Sequence, residues 1–360
     1  MGGFPLVVVA MSGGVDSSVA AALLVEQGYP VVGMMLRLWS EAGFENENRC
    51  CTPDAMAQAR KVASQLGIPF YAVDGRERFR QQVVESFLEG YRKGVTPNPC
   101  MVCNRQIRWG YLMDQARSLG AEYLATGHYA RLRRFPDGKV QLLCGQDELK
   151  DQSYILSMLN QDQLAHSQFP IGDYKKPEVR ELARRFGLPV AERAESQDLC
   201  FLAGQDYRQF LSRNENDILI PGPIVNKYDE VIGEHQGLAF YTIGQRKGIK
   251  VSSPKPLYVI SKKVKQNKLV VGSKEELGLD EMDVTDINWL MDEDPKNIDR
   301  VKVKIRYKAD FAWAALETHG TKSIHVRFEK QMRDITPGQI AVFYNDEVVL
   351  GAGIIQPRLD

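Results

Sequence analysis

The residues best able to do chemistry in this chain are the hexapeptide Ser12-Gly13-Gly14-Val15-Asp16-Ser17 and the cysteines of Cys100-Met101-Val102-Cys103 and Cys200. The hexapeptide follows an apolar run and precedes an alanine-rich one. Glycines let a backbone pass close to a phosphate, and a helix that opens here turns unpaired N–H groups and a positive dipole end toward it. Ser12 and Ser17 add hydroxyl groups, and Asp16 can hold a Mg²⁺ carried by the phosphates. The lysine of a Walker A loop is absent. A bare Ser-Gly-Gly serves equally well as a turn, so the weight falls on the combination: strand before, Asp-Ser within, helix after.

The C-x-x-C pair sits in the proline-bounded loop Pro97-Asn98-Pro99-Cys100, and Cys200 lies far along the chain. Such a pair is a metal half-site, a redox couple or a nucleophile with a neighbour that lowers its pKa. No second C-x-x-C or His pair is present, so a closed zinc site is short of ligands. Cys50 and Cys51 are adjacent, poor geometry for sharing one metal, and read as incidental loop thiols; Cys144 reads as a small core residue. Six cysteines scattered over 360 residues are not the framework of a small secreted scaffold.

Those residues need a scaffold, and the first 200 positions supply its pattern. Residues 6–10, 31–38, 69–73 and 123–127 read as strands, with helical spacing over 17–26 and 55–66. This alternation is that of an α/β doubly wound parallel sheet, assigned to residues 1–205. Short strands then follow at 218–225, 231–234, 257–261 and 269–272, with a hairpin turn at Lys265-Gln266-Asn267-Lys268, giving a small β-rich domain over 206–280. After an acidic stretch at 280–294, alternating segments at 301–307, 324–328, 339–344 and 348–355 predict a β-barrel over 281–360. Lys302, Lys304, Arg306 and Lys308 alternate, so one strand face would present four cations to a phosphate backbone or simply to water.

Apolar residues make up 44% and charged residues 26%, with a formal net charge of zero, so any nucleic-acid surface must be a local patch. The apolar run at residues 4–11 is short and has no basic leader, which reads as a cytoplasmic chain with no membrane association.

The hexapeptide resembles the pyrophosphate (PP) loop of the adenine nucleotide alpha hydrolase-like enzymes, which split ATP to AMP and pyrophosphate. Taken jointly, residues 11–17 and 98–104, Ala125-Thr126-Gly127-His128-Tyr129, Lys150-Asp151-Gln152-Ser153-Tyr154, residues 195–201 and Tyr241-Thr242-Ile243-Gly244-Gln245-Arg246-Lys247-Gly248 resemble the bacterial-type tRNA-specific 2-thiouridylases. The blocks run in that family's order through about two thirds of the chain. The resemblance implies ATP at Ala10, Met11, Ser12, Gly13, Gly14, Val15, Asp16, Ser17, Leu36 and Gly127, with Mg²⁺ near Asp16. It implies Cys103 as catalytic nucleophile and Cys200 as acceptor of a persulfide from a cysteine desulfurase or sulfur-relay protein. It places tRNA against Asn98, Pro99, Cys100, His128, Lys150, Asp151, Gln152, Arg306, Tyr307 and Gln339. On residues alone, a lone His128 is more often structural, and Lys150-Asp151-Gln152 is a solvated turn.

One departure stands out. Many relatives carry aspartate where this chain has Cys100, so a general base at that position is in doubt. Three thiolates with one open coordination position are also the ligand set of a cubane iron–sulfur cluster, so a cluster on Cys100, Cys103 and Cys200 is an alternative to the persulfide relay. A PP-loop ligase acting on a small molecule is the other competing reading; it has no need of Cys103, Cys200 or tRNA.

Overall fold

Val7, Val8 and Val9 are fully buried, so the strand Val7–Ala10 is covered on both faces, as a central parallel strand must be. The computed structural model describes residues 3–44, 52–194, 199–202, 204–291, 298–319 and 323–358. In it, Val7–Ala10 is the middle of a five-stranded sheet ordered Phe70–Asp74, Val31–Arg37, Val7–Ala10, Tyr123–Thr126, Ser167–Gln168, all pairs parallel. Strand order reverses on the two sides of Val7–Ala10, which opens a crevice at the carboxyl ends of Val7–Ala10 and Tyr123–Thr126. The sequence passes into Ser12 after the first of these and into Gly127 after the second.

Helix Val15–Glu26 packs behind that crevice. Between residues 15 and 24 every side chain except Asp16 is buried, which the small residues Ser17, Ser18 and Ala20 to Ala22 permit. Asp16 is thereby turned outward. Helix Pro53–Gln65 starts with Thr52, whose hydroxyl accepts from Ala55 N at 3.0 Å, and with proline in its first turn.

The chain forms two compact units that are not contiguous in sequence. The first comprises Met1–Val84, Pro99–Gly204 and Glu347–Val349; the second comprises Glu85–Asn98, Gln205–Asp346 and Leu350–Asp360. Within the second, Tyr258–Lys263, Lys268–Gly272, Gly222–Val225 and Val231–His235 make a four-stranded sheet over a core of Ile224, Tyr241, Val259, Leu269 and Val271. Asn267 takes a left-handed conformation (φ 51°) at the predicted turn. Gly222–Val225 is shorter than the expected strand at 218–225, because Asn216–Ile218 winds into a short 3₁₀ turn ahead of it.

Six of the remaining strands close into a barrel ordered Gly278–Trp289, Ser323–Arg333, Ala312–His319, Val301–Lys304, Ile340–Asn345, Val348–Ile355, with the last pairing back to the first. Gly278–Trp289 occupies much of the acidic stretch. Its carboxylates hid an alternation in which Met282 and Val284 point into the barrel. The expected cationic stripe ends early, because the strand stops at Lys304: Lys304 is 7% exposed, Lys302 pairs with Asp346, and Arg306 lies beyond the ladder. Among the described residues no helix is long and apolar enough to cross a membrane.

Candidate active site

The nucleotide loop is held by its own serines. Ser12 N donates to Ser17 Oγ at 3.1 Å, the two hydroxyls lie 3.2 Å apart, and Ser18 Oγ donates to Gly14 O at 2.8 Å. Gly14 precedes helix Val15–Glu26, and no side chain caps that helix end. Its first N–H groups and dipole therefore face the crevice, the arrangement that receives a phosphate. Gly13 has φ 71°, and a Cβ there would fall 2.3 Å from Ala55 O, so only glycine fits. A Cβ on Gly127 would come 2.5 Å from Ser17 N and 2.6 Å from Asp16 C. Gly127 thus lies directly against the loop.

Asp16 Oδ1 accepts from Tyr129 Oη at 2.8 Å and from Lys176 Nζ at 2.6 Å, which leaves Oδ2 for a cation. A magnesium–triphosphate group fits this donor set: an open helix terminus for phosphate, one carboxylate oxygen for the metal, and Lys176 beside it. Arg193 donates to Gly13 O at 3.1 Å and pairs with Asp54 at 3.0 Å, buttressing the loop. Neither Lys176 nor Arg193 is marked in the sequence, since Lys-Lys-Pro before a helix and a lone arginine before residue 195 are unremarkable; only the fold brings them to Asp16 and Gly13. Met11 is buried, while Ala10 and Leu36 are half-buried at strand ends.

The Lys176–Asp16 pair is worth testing by itself. Lys176 keeps 10% of its side-chain exposure and Asp16 keeps 33%, so water replaces part of what Lys176→Met removes. The expected loss is about 1 kcal/mol in urea unfolding. An unchanged midpoint would show that the pair does not stabilise the fold.

His128 is 6% exposed, and both ring nitrogens are engaged. Arg108 has only donors, so Nε2 accepts from Arg108 Nη1 at 3.1 Å, and Nδ1–H donates to Thr126 Oγ1 at 2.7 Å. Burial, with the Arg108 charge second, holds the imidazolium pKa well below the usual 6.5. The unfolded chain therefore takes up a proton that the folded chain refuses, and stability present above pH 6.5 is lost as pH falls below it. His128→Gln is expected to flatten the stability profile below pH 6.5 by about 1.4 kcal/mol per pH unit, read by urea unfolding at pH 5.5 and 7.5. Parallel profiles for the two proteins would contradict this. In the described conformation His128 offers little surface to an RNA.

Cys103 opens a π-helical segment, Cys103–Leu112, at 9% exposure, and Cys100, in the preceding turn Pro99–Val102, is exposed. Cys200 is half-buried at the start of the short turn Cys200–Leu202, where Phe201 packs edge-on against Phe79 at 6.0 Å between ring centroids. Among the described residues no group of three or more His, Cys, Asp or Glu side chains is gathered to hold a metal. Cys100, Cys103 and Cys200 thus do not form a ligand cluster in this conformation. Cys144 is half-buried at a strand end rather than in the core, and Cys50 and Cys51 lie outside the described residues.

The chain matches the tRNA methyl transferase HUP domain over residues 6–204, the tRNA methyl transferase PRC-barrel domain over 208–273 and the aminomethyltransferase beta-barrel domain over 279–355. It is 44% identical over 353 residues to the tRNA-specific 2-thiouridylase MnmA of Moorella thermoacetica, covering 97% of this chain and 98% of the relative. The protein of the same name from Geobacter metallireducens is 44% identical over 98% of this chain and 97% of its own length. This chain belongs to the tRNA-specific 2-thiouridylase family.

Several positions that the 2-thiouridylase resemblance assigns to RNA carry structural bonds here. Asp151 is 6% exposed and accepts from Gly145 N, Ser153 N and Ser153 Oγ at 2.9 to 3.0 Å. Gln152 accepts from Tyr129 N at 2.9 Å, and Lys150 is half-buried beside it. In the second unit, Arg306 Nη2 donates to Ile243 O, Asp334 O and Thr336 Oγ1, and Gln339 Nε2 donates to Thr96 O at 2.8 Å and Pro97 O at 3.2 Å. Tyr307 and Asn98 are half-buried, and Pro99 is buried. Arg306 and Gln339 thus hold the loops 243–248 and 96–98 in shape, a task their side-chain types did not announce.

Proposed function

We propose that this chain is an ATP-dependent tRNA sulfurtransferase that converts the wobble uridine of the anticodon to 2-thiouridine. The observation that carries it is the uncapped start of helix Val15–Glu26 in a unit that also carries Cys103 and Cys200, in a chain of this family. ATP lies along Ala10 to Ser17, Leu36 and Gly127 with Mg²⁺ on Asp16, and uridine O2 attacks the α-phosphate, releasing pyrophosphate. The carbonyl oxygen, a poor leaving group, becomes AMP. Cys200 receives a persulfide from a cysteine desulfurase or relay protein. Its terminal sulfur attacks C2 and AMP leaves with the oxygen; the Cys103 thiolate then attacks the inner sulfur, closing a Cys103–Cys200 disulfide and freeing the thiocarbonyl.

Asn98, Pro99, Cys100, His128, Lys150, Asp151, Gln152, Arg306, Tyr307 and Gln339 form the tRNA side of this reading. Because His128 and Asp151 are buried, RNA reaches them only after local opening. Residues 1–205 would carry the chemistry, and 206–280 and 281–360 would hold an anticodon whose target base leaves the stack. The reaction belongs in the cytoplasm, where thiols stay reduced.

The test is transfer of ³⁵S from a cysteine-desulfurase persulfide to an anticodon stem-loop, with and without ATP, followed for AMP and pyrophosphate. Sulfur at the wobble position only with ATP supports the proposal. AMP formation on a small acceptor without RNA dependence would overturn it in favour of a small-molecule ligase.

A further inference from the structure

The half-buried Arg108 has no part in the chemistry set out so far, although it bonds both Asn104, the neighbour of Cys103, and His128, the neighbour of Gly127. Bonding from residue i to i+5 in the segment Cys103–Leu112 brings residues 103, 104 and 108 to neighbouring positions on one helix face, and π-helical geometry is rare and concentrated at functional sites. Arg108 Nη1 donates to Asn104 Oδ1 at 2.8 Å and to His128 Nε2 at 3.1 Å. Asn104 is 1% exposed and His128 is 6% exposed, so both acceptors are fixed by packing. A neutral His128 keeps Nε2 as an acceptor and adds no competing charge.

These two bonds use both hydrogens of Nη1. Nε–H and the two Nη2 hydrogens have no acceptor among the described residues. This free edge of the guanidinium is the planar fork that meets two oxygens of one phosphate or carboxylate side by side. On the His128 side, Gly127 lies against Ser17 N of the nucleotide loop; on the Asn104 side, the next residue is Cys103. A phosphate gripped here would lie between the nucleotide loop and the nucleophile. Of the three phosphates of ATP, only the α-phosphate stays with the substrate through that stage.

We propose that the Nε/Nη2 edge of Arg108 binds the α-phosphate of the nucleotide and of the tRNA adenylate formed from it, with His128 and Asn104 acting as the positioning pair. This assignment rests on the adenylation reading above. Arg108 neutralises the phosphate while pyrophosphate departs and again while AMP departs, so one cation serves both bond cleavages.

Equilibrium binding of three probes, AMP, adenosine and inorganic pyrophosphate, to the full chain tests it. Arg108→Gln is expected to weaken AMP roughly 10-fold or more, as loss of a charge-assisted bidentate pair does, and to leave adenosine and pyrophosphate within about 2-fold. Arg108→Lys, which keeps the charge but loses the fork, is expected to fall between wild type and Arg108→Gln for AMP; it also serves as the second variant should Arg108→Gln not fold. Equal weakening of AMP and adenosine would overturn the proposal in favour of a purely structural role. Unchanged AMP affinity with weaker binding of an anticodon stem-loop would overturn it in favour of an RNA phosphate. Wild-type protein that binds no adenine nucleotide would remove the adenylation reading itself, whereas wild-type binding matched by both variants would remove only the role of Arg108.

Discussion

Cys103→Ser and Cys200→Ser are each expected to bring ATP-dependent sulfur transfer to background, a loss of at least about 100-fold, while ATP affinity stays within about 2-fold. Serine keeps size and hydrogen bonding but cannot carry a sulfane sulfur or close a disulfide. The two variants should then separate. Cys200→Ser should take up no ³⁵S from the desulfurase persulfide. Cys103→Ser should still accept sulfur on Cys200 and fail to release it. At 9% exposure, Cys103 is shielded from bulk reagents, whereas Cys200 is half-buried and more open to a protein donor. Labelling of both variants, or of neither, would break the division of labour between the two cysteines.

Gly127→Val is expected to remove most nucleotide binding and to lower AMP formation by about 100-fold, because displacing a site by about 1 Å costs that much. The obstacle is steric. The Cβ it introduces would fall 2.5 Å from Ser17 N and 2.6 Å from Asp16 C, both backbone atoms that no rotamer change can move. Relief must come from shifting the loop away from Tyr123–Thr126, which pulls apart the Ser12–Ser17 bonds and turns Asp16 from Lys176. Overpacking of this kind also costs about 1–3 kcal/mol of stability, measurable by urea unfolding. A variant that bound ATP normally would show that the nucleotide loop tolerates movement at this point. Gly13→Ala is a useful companion, since it fails for a different reason, a positive φ together with a clash at Ala55 O.

How much of this was legible beforehand depends on the range over which each feature is encoded. Val7–Ala10, Val31–Arg37 and helix Val15–Glu26 were readable because β-branched runs, glycine breaks and alanine-rich spacing act over a few residues. The glycine loop was readable for the same reason, and its backbone freedom at Gly13 is a local property. Strand Gly278–Trp289 was not, since its acidic outer face masked an inner face defined only by the barrel it closes. The end of the strand at Lys304, and with it the loss of the cationic stripe, likewise depended on where the chain had to turn.

Sequence alone indicates the class of chemistry here: the glycine loop reads from side-chain type and short-range backbone preference, whereas the roles of Cys103 and Cys200 come from the resemblance carried by the order of the blocks. Tertiary structure decided which distant groups complete the site. Lys176 reaches Asp16 from 160 positions away, Arg193 reaches Gly13 from 180, and Arg108 meets a histidine whose charge state is set by its burial. Such pairings follow from packing that sums over the whole unit, and a buried ring's protonation follows from the water it has lost; neither quantity exists for a stretch of chain before it folds.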